Sequence, residues 1–440
     1  MASIPKDAFC FVREGTGEAR FCRGAPPDTA YAFVGSISLT RRRRNSDGTS
    51  SLPAADTLYL WTHARPTAGP LPPSTFAIMP VPETLSPKRL PLIKSAIQKC
   101  VRRRDVGRAA ALTRLLLVGS DGRDDLLRRI VVILVEDAVI VPQLSALVWL
   151  MAACAKGHAL DPVEDVDLVV EAVACAAAFS VRDCMPRASA ACPSVRLGQK
   201  GNHAIVDALL LRTCYGGMPG DMRMLANAAS MWQARFTLDP QWESNLATLY
   251  ARARQTVGEA IHGSSAGVGT TDIIPAEAAD FHCFASMPQM VSDRIGGVFD
   301  GPTIRKAIWH HRSGINVKRP WTDPCDQVAL PSMSPKGHDV AIVGDDRVDA
   351  DAVAQTAACW ATIQPHVDRI ARWLIDSARD GDSADSLRGH KRPAGTAPLR
   401  HQPTEKRRGK KASVTPAAPP DRSQRSIKTF FRRPSGPPDS

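Results

Sequence analysis

Apolar and polar positions follow two rhythms along this chain. Two short strand-like runs come first, Ala32 to Thr40 and Thr57 to His63. Between them lies Arg41-Arg42-Arg43-Arg44-Asn45-Ser46-Asp47-Gly48, where the Asp-Gly pair favours a hairpin turn. The pattern predicts a small β element with a basic loop at its tip. Pro66 to Pro82 holds six prolines and reads as a connecting segment. From Leu92 the period lengthens. Leu92, Ile93, Ala96, Ile97, Cys100 and Val101 recur at three- and four-residue spacing, with Lys94, Lys99 and Arg102 to Arg104 on the other side of a helix. Leu126 to Val135, Pro142 to Lys156, Val166 to Ser180, Asp207 to Thr213, Asp221 to Arg235 and Gln241 to His262 continue the helical series. Pro142 suits a first helical turn and Gly157 a helix end, while Asp221 reads as an N-cap. Beyond residue 270, loops alternate with helices at Pro302 to His311 and Asp351 to Ala378.

The expected fold class is therefore mainly α: a helical bundle-like body with a small N-terminal β element. The regions are 1–80 (β-containing), 88–262 (helical) and 270–378 (mixed, mostly helical). The last segment, 379–440, has nine prolines and almost no apolar side chain before Ile427. It cannot bury enough surface to offset its chain entropy, so a disordered basic tail is expected. No solenoid-length repeat is visible.

Charge sharpens this division. The formal net charge is +12, yet residues 381–440 alone hold 14 Lys and Arg against 5 Asp and Glu. The basicity is a property of the tail. The 11 cysteines are scattered, with no C-x2-C or C-x4-C pair, and read as reduced thiols of an intracellular protein. Met1 to Gly15 lacks the apolar run of a signal peptide. The longest apolar stretch, Ala138 to Ala155, is interrupted by Pro142, Gln143 and Ser145 and reads as a buried helix, not a membrane span.

The sharpest motif lies in the tail: Gln424-Arg425-Ser426-Ile427-Lys428-Thr429-Phe430-Phe431. A single 3-10 turn brings positions i and i+3 together, so Ile427, Phe430 and Phe431 form one apolar plug while Gln424 keeps its amide free to hydrogen-bond. Two rings and an aliphatic chain in a polar segment are the hot-spot chemistry of a short binding peptide. This octapeptide resembles the PIP box, which binds the sliding clamp PCNA. The resemblance implies PCNA as partner, with Gln424, Ile427, Phe430 and Phe431 as contact residues. Upstream, Lys391-Arg392 and Lys406-Arg407-Arg408-Gly409-Lys410-Lys411 are two basic clusters on a spacer, resembling a bipartite nuclear localisation signal. A nuclear import receptor and a nuclear location are the expectations that follow.

A second likeness covers about 60 residues. Lys94-Ser95-Ala96-Ile97, Arg103, Asp105, Ala109 to Ala111, Asp124, Arg128-Arg129-Ile130-Val131 and Glu136-Asp137 follow one order. They resemble the helical C-terminal region of the MgsA/RarA family of clamp-loader-like AAA+ ATPases, which act at stalled replication forks. The family's Gly after Glu-Asp-Val is missing here, and Asp121 to Asp125 replaces its Glu-Asp-Pro. The ATPase half has no counterpart. No G-x-x-x-x-G-K-[ST] occurs, and Gly263 to Thr271 is glycine-rich without a lysine for a phosphate. Neither nucleotide hydrolysis nor any cofactor is expected.

The body offers weaker candidates. Asp280, His282 and Cys283, with His310 and His311, gather acid, thiol and imidazoles within about thirty residues. A metal-dependent nuclease would need such groups round one ion, but adjacent His310 and His311 point to different sides of a helix. Histidines hydrogen-bonded in a helical core beside Trp309 are the favoured reading, so no metal site is expected. Arg41, Arg42, Arg43 and Arg44 on the hairpin, and Arg102, Arg103 and Arg104 on the helix, are candidate phosphate contacts. No stacking aromatics interleave with either cluster. The sequence thus points to an accessory protein of DNA replication or repair held at PCNA. The alternatives are a PCNA-recruited metal-dependent DNA-processing enzyme, and a scaffold that self-associates through residues 90–180, as the second likeness implies.

Overall fold

The computed structural model describes residues 4–14, 17–26, 30–39, 56–63, 76, 89–119, 122–183, 195–263, 273–314, 321–322 and 350–379. Four strands open the chain: β1 (Phe9–Arg13), β2 (Ala19–Arg23), β3 (Tyr31–Leu39) and β4 (Asp56–His63). They form one sheet in the order β2-β1-β4-β3. The two expected runs are β3 and β4, paired antiparallel with an irregularity between Phe33 and Gly35. The loop with Arg41 to Arg44 lies outside the described residues. Strands β1 and β2 form a second antiparallel ribbon, joined to the first by a parallel β1–β4 seam.

Period-two alternation decides what each face of the sheet does. Phe9, Phe11, Leu58 and Leu60 enter the main core with the helices. Cys10 and Val12 point the other way, into a small cluster with Ile4, Cys22, Tyr31, Tyr59 and Trp61. Both faces of β1 are therefore covered. Cys10 stands directly opposite Cys22 in the β1–β2 register.

The helical series then runs as α1 (Leu90–Arg103), α2 (Val106–Val118), α3 (Arg123–Asp137), α4 (Leu144–Cys154), α5 (Glu164–Ala178), α6 (Ala204–Cys214), α7 (Pro219–Leu238) and α8 (Gln241–Gly263). After these come α9 (Met287–Arg294), α10 (Gly301–Ile308) and α11 (Ala350–Arg379), with a two-residue parallel pair, β5 (Arg182–Asp183) and β6 (Trp321–Thr322). The fold is mainly α, as the periodicity requires. Helix α4 is apolar on every side, and Leu144 to Ala153 are all buried. It takes the centre of the body, and among the described residues no helix is long and apolar enough to cross a membrane. Its Trp149 indole donates to the Phe11 carbonyl at 3.2 Å, and buried Arg13 and Asp165 pair at 2.5 Å. These contacts seat the sheet on α4 and α5.

Local chemistry sets the helix ends. Arg104 adopts φ 60°, the left-handed conformation that closes α1, and the amides of Arg104 and Asp105 bond to the Val101 and Cys100 carbonyls. The Asp105 carboxylate then accepts from the Arg108 amide at 3.2 Å, capping α2. Asp221 is not the cap expected for α7. That helix starts earlier, at Pro219, with Met218 at the cap, because a proline at the first position needs no amide partner. Asp221 sits in the first turn and pairs with Arg129 at 3.2 Å.

Residues 1–383 make up one contact unit and 384–440 another. The second unit, and with it the expected disordered tail, lies outside the described residues. Within the first, a single cluster of buried apolar side chains extends from Phe9 to Ala378, so the three body regions share one core.

Candidate functional site

Helix α1 turns Lys99 and Arg102, on its basic side, toward protein, while Arg104 at its end is exposed. Lys99 and Arg102 are 4% and 7% exposed. The Lys99 ammonium donates to Asp280 Oδ2 at 2.7 Å, to Ser95 Oγ at 3.0 Å and to the Ala278 carbonyl at 3.1 Å. Arg102 donates to Asp137 Oδ1 at 2.6 Å, Glu136 Oε1 at 3.1 Å and the Ser313 carbonyl at 2.7 Å. Gln98 bonds Asp137 Oδ2 at 2.7 Å and accepts from Arg129 at 2.7 Å. A charge leaves water only when it is paired and hydrogen-bonded, and this network meets that condition. Arg102 is thus an interior ion-pair residue and is not available as a phosphate contact. Arg103 lies at the border, 3.4 Å from Glu277 and donating to the Arg312 carbonyl at 3.0 Å. Arg104 reaches the Ala178 carbonyl at 3.3 Å. Several residues of the second likeness (Arg103, Asp105, Arg129, Glu136 and Asp137) are those that hold these helices together.

Asp280 is fully buried between Lys99 and His282. Burial alone would raise its pKa. The hydrogen bond from His282 and the charge of Lys99 outweigh that and hold the carboxyl well below its usual range. An ionised carboxylate only accepts, so His282 Nδ1, 3.1 Å from Asp280 Oδ2, carries the proton. The His282 amide donates to Asp280 Oδ1 at 2.9 Å, so the ring is oriented from both ends. Its side chain is 52% exposed. The Cys283 thiol lies 3.7 Å from the Ala278 carbonyl, and burial raises its pKa. His311 bonds Thr356 Oγ1 at 3.1 Å and stacks on Trp360. His310 occupies the same helical turn, partly buried. Among the described residues no three His, Cys, Asp or Glu side chains stand together as a metal would require.

Beside His282 opens a cleft of about 720 Å³, lined chiefly by Phe281, His282, Gln289, Arg305, Lys306 and Trp309. The chain reaches it through an irregularity. Helix α10 begins at Gly301, with Asp300 capping the Thr303 amide at 2.8 Å, then widens into a π-helical turn over Trp309–Ser313. Such turns are rare and are frequently found at functional sites. Here the turn leaves Trp309 39% exposed, its ring seated against Gly314, where an added Cβ would meet the ring at 2.3 Å. His282 lies 5.4 Å from Trp309 and 4.1 Å from Phe281, and the Arg305 guanidinium is 5.3 Å from the Phe281 ring centre. Sequence reading singled out His282 and missed the cleft, because Phe281, Arg305 and Trp309 meet only through the packing of α9 and α10. Trp309 about one helical turn after Arg305-Lys306 was the available signal.

Arg41 to Arg44, Lys391, Arg392, Lys406 to Arg408, Lys410, Lys411, and Gln424, Ile427, Phe430 and Phe431 all lie outside the described residues. No family model matches the chain, nor does any curated protein or solved structure.

Proposed function

We propose that this protein is an accessory factor of DNA replication or repair, carried into the nucleus by its basic clusters and tethered to PCNA by its C-terminal octapeptide. One observation carries the reading: Gln424, Ile427, Phe430 and Phe431 stand at the spacing of a clamp-binding peptide, in a segment with no other aromatic residue from 381 onward. Two adjacent phenylalanines in so polar a stretch of sequence are best explained by a partner that binds them. The neighbouring Arg422, Arg425, Lys428, Arg432 and Arg433 suit an acidic partner rim or nearby DNA. Likeness of residues 92–150 to the helical region of fork-acting ATPases agrees in direction, and the body would serve as the working part that the tether delivers.

The enzyme alternative loses support from the geometry of Asp280, whose oxygens are spent on Lys99 and His282. Calorimetric titration of the full chain with PCNA tests the main reading. Binding at micromolar or tighter dissociation constant is expected, with loss in a Phe430→Ala, Phe431→Ala double variant. Equal binding by both proteins, or none by either, would remove the tether from the argument.

A further inference from the structure

We infer that the cleft between α9 and α10 is a binding site for single-stranded polynucleotide, with an unpaired base against Trp309 and His282 and phosphates on Arg305 and Lys306. The inference stands on the body alone and gives it a ligand whether or not the tail binds a clamp. Three observations converge. Trp309, His282 and Phe281 all line the cleft as adjoining rings, tilted 56° and 31° to one another, with neighbouring centroids 5.4 and 4.1 Å apart. Every nucleobase has a flat π-face that such rings accept, whatever the sequence.

The lining is cationic. Arg305 and Lys306 are exposed on consecutive positions of α10, and no carboxylate lines the cleft among the described residues. Asp293 and Asp300, which flank it in sequence, are engaged with Gln289 at 2.7 Å and the Thr303 amide at 2.8 Å. The site is also held ready before any ligand arrives. Gly314 backs the Trp309 ring, and Asp280, itself pinned by buried Lys99, orients His282. Rings that must be ordered on binding would spend part of their interaction on that ordering. A volume of about 720 Å³ is of ligand-site size. Stacked bases of a duplex hide their faces, so this cleft favours unpaired strands.

Fluorescence anisotropy of labelled oligo-dT and oligo-U, each about 20 nucleotides, against the full chain tests this. Salt of about 0.5 M screens the phosphate attraction of the basic tail and leaves stacking in place. Expected is saturable binding of at least one strand, with the tighter naming DNA or RNA as the polymer. Trp309→Ala should weaken it by roughly 5- to 150-fold, and Trp309→Phe should recover part of that. An Arg305→Glu, Lys306→Glu double variant, altered only at exposed positions, should weaken binding at about 0.15 M salt and flatten its salt dependence. The Phe430→Ala, Phe431→Ala variant should bind as the unmodified chain does, which separates this outcome from the fate of the clamp reading. No saturable binding would overturn the inference. So would Trp309→Ala binding as the unmodified chain, or a blunt duplex or polyglutamate competing as well as the single strand.

Discussion

At the scale of single residues, burial changed the meaning of charge. Lys99, Arg102 and Asp280 are ionisable groups almost without solvent, and each is answered by a partner. From sequence, Arg102 on the polar side of α1 was a candidate phosphate contact, because periodicity separates two faces without saying what covers either. Nothing in Lys99 announces that Asp280, far along the chain, will face it. Replacing Asp280 with Asn keeps the shape and removes the charge, leaving the Lys99 ammonium buried without a counter-ion. A loss of about 3–5 kcal/mol is expected for breaking one side of such a pair, read as a lower midpoint in urea with unchanged slope. Lys99→Met together with Asp280→Asn should recover much of it, since the pair's desolvation disappears with the pair.

At the scale of elements, the helices were legible and part of the sheet was not. Helices α1 and α11 announced themselves through apolar positions three and four apart. β3 and β4 were legible as short strand-like runs. β1 escaped because Phe9-Cys-Phe-Val-Arg13 is buried on both sides and shows no alternation. The cleft escaped for a related reason, since its wall is built from two elements and a loop that periodicity treats singly. The ribbon of β1 and β2 also makes a chemical prediction. Directly opposed residues of antiparallel strands have Cα atoms about 4.5–5.5 Å apart, within the span of a disulfide, and Cys10 and Cys22 are such a pair. Its hydrogen bond with Cys10, together with the charge of Arg20, lowers the Cys22 thiol to about 7. Hydrogen peroxide is expected to couple the two thiols, each equivalent consuming both protons and releasing two waters. Peptide mass mapping should find the crosslink in the folded protein and lose it in Cys22→Ser.

At the scale of the whole molecule, the body is built round one shared core, and acid should undo it from a definable place. Asp280 and Glu277 lie on the segment that joins α1 to the cleft. Burial pushes both carboxyls up, yet partners outweigh it: His282 and Lys99 for Asp280, and for Glu277 an amide hydrogen bond and Arg103. Folded pKa values below the unfolded ones of about 4 mean that this stabilisation is complete above that pH and drains away as pH falls further. Melting temperature should therefore hold from pH 7 to 5 and drop steeply below 4, with a smaller acid-side drop in Asp280→Asn. The seating of the sheet has a different consequence, in the order of synthesis. All four strands have left the ribosome once His63 has, but the apolar face of Phe9, Phe11, Leu58 and Leu60 waits for α4 and the Trp149 hydrogen bond to Phe11. At ordinary rates of translation that wait is roughly 4 to 17 seconds. For that interval the apolar residues of the four strands have nothing to lie on, and a chaperone has a window in which to hold them.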